Sequence, residues 1–324
     1  MALRNLTGGR RRAGLLLAFL IGLGPAGAVN AAEAIVTAQG DNRVDVVDLG
    51  TDQVLAGIPV AGSPAGVALS PDRRTAYVTR PDGPGLAVID LERRTVTSTI
   101  DLPGGPLGIG VNPKTGTVYA ADWYAKRVFV LVPEAGGLAR DGEIATGASP
   151  SGIAVTSDGL TLLVANREGN SVSVIDAGTR RQIRLIPVGE HPFGLTLDPD
   201  GRRAYTANVI SNDVSVIDFT EGREIARVPA GERPYVVALA GGRGFVTNQY
   251  AGTVSVFDRA TLKPVATIEV GDHPEGIAAT PDGTRLYVAN WGSNTLSVID
   301  AATLAVLREI KVADGPRAFG DFLR

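Results

Sequence analysis

The sequence predicts an all-β fold, a closed ring of seven four-stranded antiparallel blades. Three registers of one repeat predict it, each with a period of about forty residues. A proline opens every unit, at Pro64, Pro106, Pro150, Pro192, Pro234, Pro274 and Pro316, with spacings of 42, 44, 42, 42, 40 and 42 residues. A large apolar residue recurs at Ile35, Tyr77, Tyr119, Leu163, Tyr205, Phe245 and Tyr287. An acid recurs at Asp48, Asp90, Asp176, Asp218, Asp258 and Asp300. Only Val132 breaks this last series, beside a two-residue insertion across Pro133 to Gly137.

One unit shows how the strands arise. From His273-Pro274-Glu275-Gly276 to Lys311-Val312, four short runs of β-branched and aromatic residues alternate with turn signals at Pro281-Asp282-Gly283, Ser293-Asn294 and Asp300. Such a pattern reads as a four-stranded meander. Meanders at this period are blades of a β-propeller, whereas a β-solenoid needs parallel rungs and shorter repeats. The chain ends fit a ring. Ala34-Ile35-Val36-Thr37 reads as a second strand, and Pro316 to Phe322 reads as a first strand. Pairing the two in one blade removes the open edges of a linear array.

The segment 1–31 reads as a signal peptide and 32–324 as the propeller. Arg4 and Arg10-Arg11-Arg12 precede an apolar run, Ala13 to Gly24, and Val29-Asn30-Ala31 offers a cleavage site. The run is short for a membrane span, so no span is expected once the leader is removed. Sec and twin-arginine export both remain open. Removing the segment takes four Arg from 31 basic residues and none from 34 acidic ones, leaving a balance of −7. That argues against nucleic acid as a partner, since phosphate binding needs a basic surface. The absence of cysteine excludes disulfides and thiolate chemistry.

Much of the repeat is scaffold. The Tyr/Phe position recurs in most units and is expected to pack between blades. The acid of Ile-Asp-x-x-Thr is expected to cap a turn, as with Asp258 and Thr261 or Asp300 and Thr303. The small residues Ala68, Gly110, Ala154, Thr196, Ala238, Ala278 and Gly320 are expected to line an inert channel. Such a wall offers no His or carboxylate for acid–base work.

Tyr287-Val288-Ala289-Asn290 and Phe245-Val246-Thr247-Asn248, each followed by a Ser-Val-Ile/Phe-Asp strand, resemble the YVTN-type β-propeller repeat. Leu163-Val164-Ala165-Asn166 and Tyr205-Thr206-Ala207-Asn208 resemble it too. The resemblance covers residues 32–324, and the chain looks like a small exported single propeller of the YncE-like group. It implies a seven-bladed ring, export, and a binding or accessory role. Blades two and three depart from the motif, at Arg80-Pro81-Asp82-Gly83 and Ala121-Asp122-Trp123.

Function in a repeat protein is sought where the copies differ. Two loop sets share one face: those around the opening proline and those between the second and third strands. The first set carries His191, Arg233, Tyr235, His273 and Glu275. The second carries Trp123, Tyr124, Tyr250 and Trp291. Both tryptophans and both histidines of the chain fall on this face. The reading is a periplasmic or secreted, monomeric binding or scaffold protein that presents this rim to a protein partner or small ligand, with Arg233 as an anion contact. The competing reading is an enzyme or accessory subunit, either a lactonase-like hydrolase or a partner of a periplasmic quinone- or haem-dependent oxidoreductase. No catalytic residue, cofactor or metal is assigned: His191 and His273 lie two units apart with cationic Arg233 between them, although Glu275 is a conceivable third ligand.

Protein recovered from exporting cells is expected to be soluble and to begin near Ala32. N-terminal sequencing checks this, and a membrane-bound product retaining Met1 would contradict it.

Overall fold

The computed structural model describes residues 1–2 and 32–324. Apart from its first two residues, the expected leader lies outside the described residues. Residues 32–324 form a seven-bladed β-propeller with no helix among them. Blades two to seven are consecutive four-stranded meanders. Blade five, for example, consists of Pro192–Leu197, Arg203–Asn208, Asp213–Asp218 and Arg223–Pro229, all antiparallel. The insertion in blade three is absorbed by lengthening its outer hairpin, Arg127–Glu134 with Gly137–Ala145.

Blade one closes the ring as the terminal sequences predict. Its three N-terminal strands, Glu33–Ala38, Arg43–Asp48 and Gln53–Pro59, take the C-terminal segment along their inner edge. Glu33 and Arg324 exchange backbone hydrogen bonds of 2.8 Å, Ile35 N donates to Phe322 O at 2.8 Å, and Arg317 N donates to Thr37 O at 2.9 Å. The segment is not a regular strand. Between its bridges at Pro316 and Leu323 it swings toward blade two, where Phe319 and Gly320 pair in parallel with Gly66 and Val67. Gly320 holds φ at 118°, and a Cβ there would stand 2.2 Å from Val67 O. Glycine is therefore needed at this bulge. Asp321, which stands where other units have an apolar residue or alanine, is turned out of the strand and pairs with Arg73 at 2.5 Å.

The cores lie between blades. Tyr205, Val214 and Val216 of blade five meet Val237, Val246 and Phe257 of blade six in one buried cluster. The other blade junctions repeat that pattern. Tyr205 is fully buried and donates its hydroxyl to Asp198 at 3.1 Å. Register explains the small inner-strand residues. Ala68, Gly110, Thr196 and Ala278 sit opposite Tyr77, Tyr119, Tyr205 and Tyr287, so each shares a face with its aromatic partner. They border the channel but face the next blade: a Cβ on Gly110 would meet Ile153 at 2.7 Å, and Thr196 Oγ1 donates to Val237 O at 2.6 Å. The wall between them also carries larger apolar residues, among them Val111, Val155 and Leu197. The small residues border the channel as expected, but the larger apolar ones that share the wall with them were not foreseen.

The repeated acids cap turns. Asp258 accepts the amide and hydroxyl of Thr261 at 2.7 and 2.8 Å, and Asp300 does the same for Thr303 at 2.7 and 2.9 Å. In the inner hairpin of blade seven, Asp282 accepts Thr280 Oγ1 at 2.5 Å and Thr284 N at 3.0 Å, which holds its carboxyl down at about 2. Hydrogen bonds from their own turns likewise lower Asp158, Asp176, Asp258 and Asp300.

Two outcomes follow from these contacts. Deleting residues 316–324 removes Phe319, Phe322 and the closing backbone bonds, so the truncated protein is expected to melt well below the full chain or to aggregate. A melting temperature equal to the full chain's would contradict closure. Because the turn carboxylates have folded pKa values below their unfolded values of about 3.9, their stabilisation is fully present above about pH 5 and is lost as pH falls toward 2. Urea midpoints measured from pH 7 to 2.5 are expected to be flat and then fall, with a shallower fall in Asp282→Asn.

Candidate functional site

The motif asparagines turn out to build the rim. Asn166, Asn208, Asn248 and Asn290 end the second strands of blades four to seven and are fully buried. Their Nδ2 groups donate to Ser173, Ser215, Ser255 and Ser297 at 2.8–2.9 Å. Asn166 and Asn248 also accept Gly147 N and Gly231 N, each at 2.9 Å. One side chain thus ties the loop before the inner strand to the third strand. Where the motif is lost, other residues take over this task. Asp122 accepts Gly105 N at 3.4 Å and Arg127 Nε at 3.0 Å in blade three, and Arg80 donates to Ala61 O at 2.6 Å in blade two.

A backbone bond then joins the two loop sets. Trp123, Arg167, Val209, Gln249 and Trp291 donate their amides to the residue before the opening proline of their own blade, at 2.9–3.0 Å. That residue is held at positive φ in every blade but the third: 56° at Ser63, 50° at Ser149, 55° at His191, 56° at Arg233 and 50° at His273. Asn170 and Asn212 of the preceding blades lock two of these amides at 2.9 Å. Blade one places Gly315 here, at 67°. A non-glycine residue in this region costs roughly 1 kcal/mol. His191, Arg233 and His273 are retained where glycine is easier.

The structure sorts the expected rim residues into three groups. Arg233, Tyr250, His273 and Trp291 form a ladder across blades six and seven. The Arg233 guanidinium lies 5.3 Å from the Tyr250 ring centre. His273 stands edge-on between Tyr250 and Trp291, 5.9 Å from each at 70°. Tyr250 and Trp291 remain 58% and 42% exposed. The second group lies on blades three to five. Arg167 stacks over Trp123 at 5.3 Å and pairs with Glu168, whose other oxygen is 3.6 Å from His191 Nε2. Tyr124 projects alone and is 80% exposed.

The third group closes the channel between them. Phe193 of blade five packs on Tyr235 at 4.2 Å and reaches Phe319 of blade one at 5.5 Å and Trp123 at 6.0 Å. Phe193 is only 3% exposed. Glu275, also 3% exposed, accepts Arg317 Nε at 2.6 Å and Gln249 Nε2 at 2.7 Å. Burial, then the Glu275 charge, pushes Tyr235 up to about 12, so it stays a neutral hydroxyl. Glu275 is therefore engaged inside the plug rather than offered to solvent. The two histidines fall in different groups. Gln249 is the participant that sequence reasoning passed over. The signal available was the position after the opening proline, which changes from Ala65, Leu107 and Ser151 to Phe193, Tyr235, Glu275 and Arg317.

Comparison with known proteins agrees on the fold. The family model "Lactonase, 7-bladed beta-propeller" matches residues 137–224, about a quarter of the chain. No curated protein matches in sequence. Among solved structures, a putative 6-phosphogluconolactonase from Bacteroides fragilis NCTC 9343 is 20% identical with a TM-score of 0.74, covering 92% of this chain and 98% of that one. A functionally unknown protein from Desulfotomaculum acetoxidans DSM 771 is 17% identical with a TM-score of 0.73, covering 89% and 99%. Kuenenia stuttgartiensis hydrazine synthase is 22% identical with a TM-score of 0.72, covering 82% and 91%. At these identities the likeness is one of fold. The class that fold and family model support is the seven-bladed β-propeller.

Arg233→Ala is expected to leave stability within about 0.5 kcal/mol, as surface changes do. Glu275→Ala leaves Arg317 without its buried partner and is expected to cost about 3–5 kcal/mol. Denaturant titration of the two variants measures the contrast.

Proposed function

We propose that the chain is an exported, YVTN-type propeller of the YncE-like kind that acts as a binding or scaffold module without chemistry of its own. It works in the periplasm or outside the cell, as a monomer, and holds a protein partner or small ligand on its rim. The observation that carries this reading is the exposed ladder Arg233–Tyr250–His273–Trp291. Aromatic and arginine side chains are the residues that dominate binding hot spots. A packing role does not require Tyr250 and Trp291 to stay half exposed. The apolar plug beneath supplies a rigid floor, so the ladder is ordered before any partner arrives, which lowers the entropic cost of binding.

A second reading, hydrolysis of a lactone, is favoured by the family-model match at residues 137–224. On the rim, Glu168 with His191 is the pair that could activate a water. The two readings separate in one experiment. The protein is used to capture partners from periplasmic extract, with mass spectrometry for proteins and small molecules, and is assayed in parallel for hydrolysis of sugar δ-lactones. Capture that is lost in the Arg233→Ala, His191→Ala, His273→Ala triple variant, with no lactone hydrolysis, supports the binding module. Full capture by the folded triple variant contradicts it, and turnover that vanishes in His191→Ala supports the hydrolase.

A further inference from the structure

The channel beneath the plug is a blind cup. Its rim end is closed by Phe193, Tyr235 and Phe319, with Phe193 bridging blade five to blade one. Its other end opens among the inner hairpins at Pro71, Pro113 and Pro199, on the face opposite the ladder. Between them lies a cavity of about 580 Å³. That falls within the range of small-molecule pockets, about 300–1,000 Å³.

The wall chemistry restricts what fits. Its side chains are aliphatic, as at Ile109, Ile153 and Leu195. Two hydroxyls join them, Thr196 and Ser70, and both are already committed, to Val237 O and to Asp72 Oδ1, each at 2.6 Å. The charged residues bordering the cup, Arg73 and Asp321, neutralise each other at the entrance. An ion inside would lose its hydration with nothing to replace it. The inner strands of blades three to seven stand at the edge of their sheets. Their unpaired backbone groups therefore offer hydrogen bonds without charge. Water bonds to these edges but gains nothing from the aliphatic wall, so a ligand is favoured that covers the wall with apolar surface and replaces the water's edge bonds with its own polar groups.

We infer that this cup is a second binding site, distinct from the rim, for a neutral molecule of one or two rings that carries carbonyl or hydroxyl groups. The ligand enters from the hairpin face, buries its rings against the aliphatic wall, and bonds its oxygens to the free strand edges. The site does not depend on the rim reading.

Benzophenone, a neutral two-ring ketone that attaches to nearby C–H bonds on irradiation, is a direct probe. Labelling of the full chain is expected to saturate at one per molecule and to map to peptides of the inner strands, such as 106–111, 150–155 and 192–197. Val155→Trp and Ala279→Phe, at half-buried wall positions, are each expected to reduce labelling at least tenfold at subsaturating probe. A Tyr250→Ala, Trp291→Ala variant is expected to label normally. Labelling that never saturates means a water-filled channel only, and overturns the inference. So does labelling that maps to the rim loops, or that persists in a folded channel-filling variant. If neither filling variant folds, the peptide map of the unmodified chain decides.

Discussion

In five of the seven blades the inner strand approaches its neighbour so closely at the rim end that no side chain fits between them. A Cβ on Gly108 would stand 1.6 Å from Ser151 O, and one on Gly276 would stand 2.2 Å from Ala318 O. Much of the rest of the structure depends on this contact. It brings neighbouring sheets close enough for Tyr205 or Tyr287 to fill the space behind. It fixes the number of strands around the channel, so the seventh position must be taken by the C-terminal segment. Gly276 belongs to blade seven and Ala318 to the closing segment, so the same contact that spaces the blades also seats the end of the chain.

The same constraint decides where chemistry can sit. Five of the seven positions at the glycine level exclude a side chain, the others holding Val236 and Ala318, and one residue earlier the side chains converge on the axis. There Phe193, Tyr235 and the Glu275–Arg317 pair fill the opening, and Phe319, two residues after Arg317, packs against Phe193 beneath them. The plug separates two faces of the molecule. One carries loops that differ from blade to blade and an exposed aromatic ladder. The other is the mouth of an uncharged cup. Neither face asks the blades to move, because the ladder rests on loops locked by Asn212 and the strand-end asparagines.

The period of the repeat was legible because seven copies of a proline, an aromatic and an acid leave three registers that must agree. Closure was legible because a stray first strand at one end and a stray second strand at the other have one economical pairing. The irregularity of the closing segment was foreshadowed only by Asp321, an acid at an apolar position. The plug was less legible. Phe193 and Phe319 come from blades five and one, far apart in sequence, and only the geometry of the ring brings them within 5.5 Å. Glu275 looked like a free rim acid for the same reason: its partner Arg317 lies 42 residues away in the segment that closes the ring. The channel was misread because strand alternation was counted from the axis, whereas propeller sheets turn their faces toward one another.

The central claim is that recognition belongs to the rim ladder and stability to the repeat beneath it. Amide hydrogen exchange, with and without the partner captured from periplasmic extract, tests this most directly. Slowing confined to residues 248–252, 271–275 and 290–294, over an otherwise unchanged pattern, is the predicted result. Slowing on outer strands such as Val306–Lys311, with the rim loops unchanged, would contradict it.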